Sequence, residues 1–215
     1  MKLLKENKGF IILTGLAVLL PMAAGILLWD QLPETLATHF GPDNEPNGWS
    51  SRTFAVFGLP LFCFAGHLVS AAYMAMDPRK QGIGRKVYRM MLLICPGASL
   101  MCGIGIYSYA LSWDINAPLL AKIFMGIILI TVGNYLPKIR QNYTVGLKLP
   151  WTLYNEENWN KTHRFAGGIW ILAGAFFILD ACLNLEGMWI IFALMIVIPV
   201  IYSLLIYLRE HKQSS

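Results

Sequence analysis

Six apolar runs divide the chain: Gly9 to Trp29, Thr53 to Met76, Met90 to Ser112, Pro118 to Leu136, Phe165 to Leu183 and Met188 to Leu208. Each is about the 20 residues that a helix needs to cross a bilayer. Each must be helical, because lipid offers no partner to backbone N–H and C=O groups. The pattern predicts an all-α polytopic membrane protein with six transmembrane helices. Two of the polar intervals, Asp30 to Arg52 and Gly133 to Arg164, are far longer than a connection requires. Trp113 to Ala117 and Asn184 to Gly187 leave room for little more than a turn.

The first long interval, DQLPETLATHFGPDNEPNGWSSR, holds Pro33, Gly41, Pro42, Pro46 and Gly48, which predict a series of turns rather than a regular element. Trp49, just before the second span, is placed for the headgroup level. In the second, Pro137 to Pro150 reads as extended and glycine-marked. Asn155 then caps a helix whose first turn carries Glu156 and Glu157, where carboxylates meet the positive end of the macrodipole. Trp159, His163, Ala166 and Trp170 recur at helical spacing, so this helix runs along the membrane surface or straight into the fifth span. Trp151 and Trp159 read as interfacial anchors. Asn142, Gly146, Pro150 and Thr152 exceed what anchoring needs, and they make this interval a candidate binding surface.

Charge orients the spans. Of 17 Lys and Arg residues, 15 precede the first span, lie between the second and third or between the fourth and fifth, or follow the sixth; only Arg52 and Lys122 lie elsewhere. The positive-inside rule then predicts both termini in the cytoplasm, with Asp30 to Arg52 outside and Asp77 to Arg89 a solvated basic loop inside. Charged residues are 13% of the chain, about half the roughly 25% of soluble domains, and hydrophobic residues are 56%. The net charge of +5 sits beside spans, facing an anionic leaflet, so topology accounts for it without nucleic acid. Lys2 and Lys5 before an apolar run imitate a signal peptide, but Gly9 to Trp29 is long for one and lacks a cleavage site. Cys63, Cys95, Cys102 and Cys182 fall inside spans and suggest neither a disulfide framework nor a metal site.

The run NYTVGLKLPWTLYNEENWNKTHRFAGG resembles the motif of the SdpI family of bacterial membrane proteins. Asn142, Gly146, Leu147, Lys148, Pro150, Trp151, Thr152, Leu153, Trp159 and Arg164 carry the resemblance. Leu32, Pro33, His39, Phe40, Gly41, Gly48 and Trp49 resemble the LP…HFG…GW loop of a domain that often precedes that motif. The division this suggests is 1–89, two spans with the outer loop, and 90–215, four spans with the motif loop. The resemblance implies a non-enzymatic immunity protein or signal-transducing receptor conferring resistance to a secreted antimicrobial peptide toxin. A cytoplasmic repressor protein is the implied inner partner and the lipid bilayer the surrounding one, with no direct contact to nucleic acid and no cofactor. The candidate binding residues are Asn142, Gly146, Lys148, Pro150, Trp151, Thr152, Trp159, His163 and Arg164 inside, and His39 and Trp49 outside. Where the family favours Arg, Lys148 forgoes bidentate recognition of a carboxylate. A small secondary transporter or exporter of a toxic compound is the alternative. It would need several polar groups near mid-membrane, and His67, Ser70, Ser99 and Thr131 are a thin set.

Lys122 and Asp180 stand about one turn in from the same ends of the fourth and fifth spans, at one depth if those spans are antiparallel neighbours. They form an intramembrane pair, or Lys122 snorkels outward alone. His67, mid-span with no acidic neighbour at helical spacing, is a hydrogen-bonded core residue or a proton relay. His39, Asp43 and Glu45 are a conceivable metal cluster, though solvated polar residues are the simpler reading. Glu156-Glu157-x-x-x-Lys161 imitates a signature of membrane-embedded prenyl-protein proteases, but the two histidine motifs such enzymes need within spans are missing from the sequence.

Overall fold

A computed structural model of the chain describes residues 2–41, 45–183, 185 and 187–213. Six helices are long and apolar enough to cross a membrane: Lys8–Leu27, Phe54–Met76, Arg85–Ala110, Ala117–Lys138, Glu156–Leu183 and Met188–Glu210. They are spans one to six below. The chain falls into two compact units, Met1–Ala72 with Arg89–Ala121, and Tyr73–Tyr88 with Lys122–Ser215. Most of the third span thus groups with the first two.

In the first unit, span one is interrupted at Leu19 and restarts with Pro21 in its first turn. Proline cannot donate to the helix ladder, so carbonyl groups near the break need other donors. Span three supplies two of them. Ser99 Oγ donates to Val18 O and Tyr107 Oη to Pro21 O, each at 2.8 Å. Gly103 lets the two backbones meet there, since a Cβ would lie 2.7 Å from Pro21 Cβ. His67 is fully buried. Its Nε2 lies 3.2 Å from Thr14 Oγ1 and 3.3 Å from Ile11 O, an interhelical tie within this unit.

The turns expected over residues 30–52 are instead an antiparallel hairpin of β1 (Thr35–Phe40) and β2 (Pro46–Ser51). The prolines permit it by position: Pro33 precedes β1, and Pro46 is the first residue of β2, where a missing N–H costs no central ladder bond. Gly48 pairs with His39 where the register is irregular, and a Cβ there would lie 2.8 Å from His39 Cβ. Leu36 and Ala37 turn inward. Leu36 joins Leu32, Ala55, Val56, Ile106 and Tyr107 in the core that roots the hairpin on its spans. Arg52 Nη1 donates to Trp29 O and Leu32 O, both at 2.8 Å, with the guanidinium 4.4 Å above the Trp29 ring.

In the second unit, spans four and five are antiparallel and touch backbone to backbone at two places. Gly126 meets Gly174, and seven residues along each helix Gly133 meets Gly167; a Cβ on any of the four would lie 2.5–2.8 Å from the opposite carbonyl oxygen. Small residues at such spacing allow the close helix packing that lipid-embedded bundles rely on. Span five is one uninterrupted helix from Glu156, about 42 Å long at 1.5 Å per residue. It therefore exceeds a hydrocarbon core of ~30 Å, and its polar first turns continue without a break into its apolar part. Near its far end Lys122 Nζ lies 2.9 Å from Asp180 Oδ2. Asp180 is 1% exposed and takes no aligned hydrogen bond from any other described group.

Candidate functional site

The interval between spans four and five folds back on the helix that follows it. A 3-10 turn, Leu136–Lys138, ends span four, and the chain then runs without regular structure to the short helix Pro150–Tyr154. Such a path leaves its backbone polar groups unpaired, and side chains of the motif take them up one by one. Asn142, fully buried, does most of this. Its Oδ1 accepts from Thr144 N at 2.9 Å and Val145 N at 2.7 Å, and its Nδ2 donates to Arg140 O at 2.8 Å and Val145 O at 3.0 Å.

Gly146 comes next with φ +119°, a backbone conformation that side chains disfavour. A Cβ here would also collide with His163 Nε2 and lie 3.1 Å from the Trp159 ring. His163 and Trp159, four residues apart on span five, stack at 4.0 Å and both are buried. Trp159 Nε1 donates to Ile139 O at 2.8 Å, while His163 Nε2 accepts from Leu147 N at 3.0 Å. An Nε2 that accepts leaves the ring proton on Nδ1, which donates to Trp159 O at 2.8 Å; the imidazole is thereby neutral. Thr152, fully buried, closes the turn: its Oγ1 accepts from Leu149 N at 2.9 Å and donates to Leu147 O at 2.8 Å.

The short helix is tied to the last span. Trp151 Nε1 donates to Ser203 Oγ at 2.7 Å and its ring stacks on Tyr207 at 5.7 Å. Ser203 Oγ donates to Asn158 Oδ1 at 2.9 Å, as does Thr162 Oγ1 at 2.9 Å, and Asn158 Nδ2 donates to Ser203 O at 3.0 Å. Asn155 Oδ1 caps span five by accepting from Asn158 N at 3.0 Å, and its Nδ2 donates to Glu210 Oε2 at 2.8 Å.

A third support was not visible in the pattern of the sequence. Asp77, the one acid of the basic loop after span two, is buried. Its carboxylate accepts from Arg79 N, Tyr143 N and Thr144 Oγ1 at 2.7, 2.9 and 2.5 Å. Arg79 Nη1 donates to Gln141 Oε1 at 2.6 Å and Leu153 O at 3.1 Å, and its guanidinium covers the Tyr143 ring at 4.8 Å. Gly82 allows the strands of chain to touch, since a Cβ would lie 2.7 Å from Gln141 O and 2.8 Å from Arg140 O. The loop expected to be solvated is thus half of the module. A lone acid among five bases was the available signal, because a charge left buried needs several donors.

The sequence-chosen residues therefore separate. Asn142, Gly146, Thr152, Trp159 and His163 meet in one buried cluster, and Trp159 is a core residue rather than an interfacial anchor, because Gly146 and Ile139 cover it. Trp151 is half-buried against span six. Lys148, Pro150 and Arg164 face outward. The module's outward face also carries Tyr143 and Tyr154, the latter 89% exposed. Glu157 and Lys161 form an exposed i,i+4 pair at 2.6 Å on the surface of span five. His39 and Trp49 belong to the hairpin of the other unit: His39 Nδ1 contacts Asn47 Oδ1, and Trp49 packs edge-on to Tyr109 at 6.4 Å. Asp43 lies outside the described residues, among which no group of three metal-ligating side chains gathers.

Residues 138–207, which include most of this module, match the model of the SdpI/YfhL protein family, and residues 16–64, which include the hairpin, match a domain of unknown function (DUF1648). The chain is 25% identical over 191 residues to the immunity protein SdpI of Bacillus subtilis (strain 168), a match covering 87% of each chain. No solved structure matches.

Proposed function

We propose that this chain, a multi-pass protein of a bacterial cell membrane whose residues 138–207 match the SdpI/YfhL protein family, is an immunity protein of that family. In this reading it confers resistance to a secreted antimicrobial peptide, acts as a signal-transducing receptor for it, and works by binding rather than catalysis. The observation that carries the proposal is the likeness to an immunity protein along 87% of both chains, with the motif residues arranged as one folded module. The distribution of bases supports both termini in the cytoplasm, with the hairpin outside and the module inside. The hairpin end then meets the peptide. The module's outward face, with Tyr143, Lys148, Pro150 and Tyr154, offers a cytoplasmic repressor its contact, while the buried motif residues hold that face in shape. Glu157, paired on an exposed helix face, has the surroundings of a surface residue and not of a buried base for hydrolysis.

The test is complementation. A Bacillus subtilis strain lacking its own SdpI, expressing this chain, should survive co-culture with the toxin-producing parent. Killing at the level of the empty strain, with the chain present in the membrane, would refute immunity against that peptide. Sidedness is tested by an impermeant maleimide in a background free of the four native cysteines. Glu34→Cys should label in intact cells and Tyr154→Cys only after lysis; the reverse pattern would invert the assignment.

A further inference from the structure

The first unit contains a cleft of about 1000 Å³ beneath the hairpin. Its walls are Leu59 and Cys63 of span two and the stretch from Ser99 to Tyr109 of span three, with Thr38 and Phe40 of β1 as its roof. From Ser99 to Tyr109 the helix rises by ten steps of about 1.5 Å, so the cleft runs about 15 Å along it. That is half of a hydrocarbon core of ~30 Å, the depth of one leaflet. Phe62, 78% exposed, and Cys102 lie on its rim, so it opens toward lipid. A cleft at that depth, bounded by spans and open sideways, is reached by acyl chains before anything else.

The apolar walls do not discriminate among chains, since lipid tails are as apolar as the side chains they would meet. The polar end does. Ser112, Trp113 and Asp114 line the cleft where span three stops. Ser112 is held at φ +51°, a strained value for a residue other than glycine, and Asp114 is exposed. This end of the unit also carries Asp30, Glu34 and Glu45. Among the described residues its one Lys or Arg, Arg52, is committed to Trp29 O and Leu32 O. The local charge therefore favours a cationic headgroup and disfavours a purely anionic one.

We propose that the cleft is a phospholipid site: an acyl chain lies along span three, and an amine headgroup, as in phosphatidylethanolamine, meets Asp114. The site is independent of the immunity reading. An exposed ion pair implies about a 1.5- to 5-fold preference for that headgroup.

The experiment reconstitutes the full chain in vesicles of equal phosphatidylethanolamine and phosphatidylglycerol, adding a trace of one or the other with a mid-chain diazirine, and maps photo-adducts by mass spectrometry. Adducts should concentrate on residues 59–63 and 99–109 relative to the exposed face of residues 189–197, and more heavily with the ethanolamine probe. Gly105→Phe enters open space, as nothing lies within 4 Å of a Cβ there. It should fill the cleft and remove those adducts, leaving 189–197 unchanged. Asp114→Asn should equalise the two probes without lowering the total. Four results would overturn the site: cleft labelling no denser than at 189–197, labelling that survives Gly105→Phe, a headgroup preference that survives Asp114→Asn, or shielding from both probes, which would mean a peptide or protein occupies the cleft.

Discussion

Replacing Asn142 with Ala should unfold the module while leaving the spans in place. The side chain is fully buried and makes four hydrogen bonds, two accepted from Thr144 N and Val145 N and two donated to Arg140 O and Val145 O. Alanine reproduces none of them. Each backbone N–H stranded in the interior costs about 1–3 kcal/mol, so the two together, with some relaxation, weaken the folded loop by about 2–5 kcal/mol. Trypsin reads this directly, because Lys148 and Arg140 are exposed within the loop. When cleavage proceeds through transient opening, the rate follows the open population. A 2–5 kcal/mol loss then raises cleavage after Lys148 from about 30-fold to a few thousand-fold, at 1.4 kcal/mol per decade. The measurement is the initial tryptic rate at Lys148 in detergent or nanodiscs, with membrane abundance matched. Asn142→Asp keeps one acceptor oxygen but turns an unprotonated oxygen toward two carbonyls, so it should cleave no more slowly than the alanine variant. Cleavage of Asn142→Ala within about five-fold of the parent would refute the reasoning.

Gly146→Ala should destabilise the same loop by about 2–4 kcal/mol, from the strained φ together with loss of the Leu147–His163 hydrogen bond; an unchanged tryptic rate would contradict it. Lys122→Met should cost about 2–3 kcal/mol in detergent unfolding, below the 3–5 kcal/mol of a fully buried pair because Lys122 is 26% exposed. The Lys122→Met/Asp180→Asn double variant should lose less than the two single variants summed, with a coupling of about 1–3 kcal/mol; additive losses would mean the pair contributes nothing. Asp77→Ala should accelerate cleavage after Lys148 although it lies 71 residues away in sequence, and a parental rate would remove the Asp77 support from the account.

The spans were legible because lipid leaves a helix no alternative, so length and hydropathy alone placed them. The Lys122 and Asp180 depths were legible for the same reason: once two helices are antiparallel, position in a span gives depth. The hairpin was not, because its prolines and glycines carry turn signals whichever position they take, and only the pairing of Phe40 with Pro46 reveals that Pro46 begins a strand. In the motif loop the residue types were informative, but their direction was not. Asn142, Thr152 and His163 read as binding groups, since a buried polar residue and an exposed one have the same name in a sequence. What buries them is non-local: Asp77 reaches Tyr143 N across 66 positions, and Ser203 reaches Asn158 across 45. Hydrophobic periodicity carries no record of such contacts, and helical spacing alone placed Trp159 at the interface when Gly146 in fact lies over its ring.

Hydrogen exchange across residues 138–155 in lipid nanodiscs tests the folded module most directly. The amides of Thr144, Val145, Leu147 and Leu149 each donate to a side chain of the module, so they should exchange orders of magnitude more slowly than an unstructured segment of the same sequence, with Asn142→Ala abolishing the protection. Unprotected rates throughout 142–149 in the parent protein would mean that the motif is a flexible linker, and the account of its buried residues would fall.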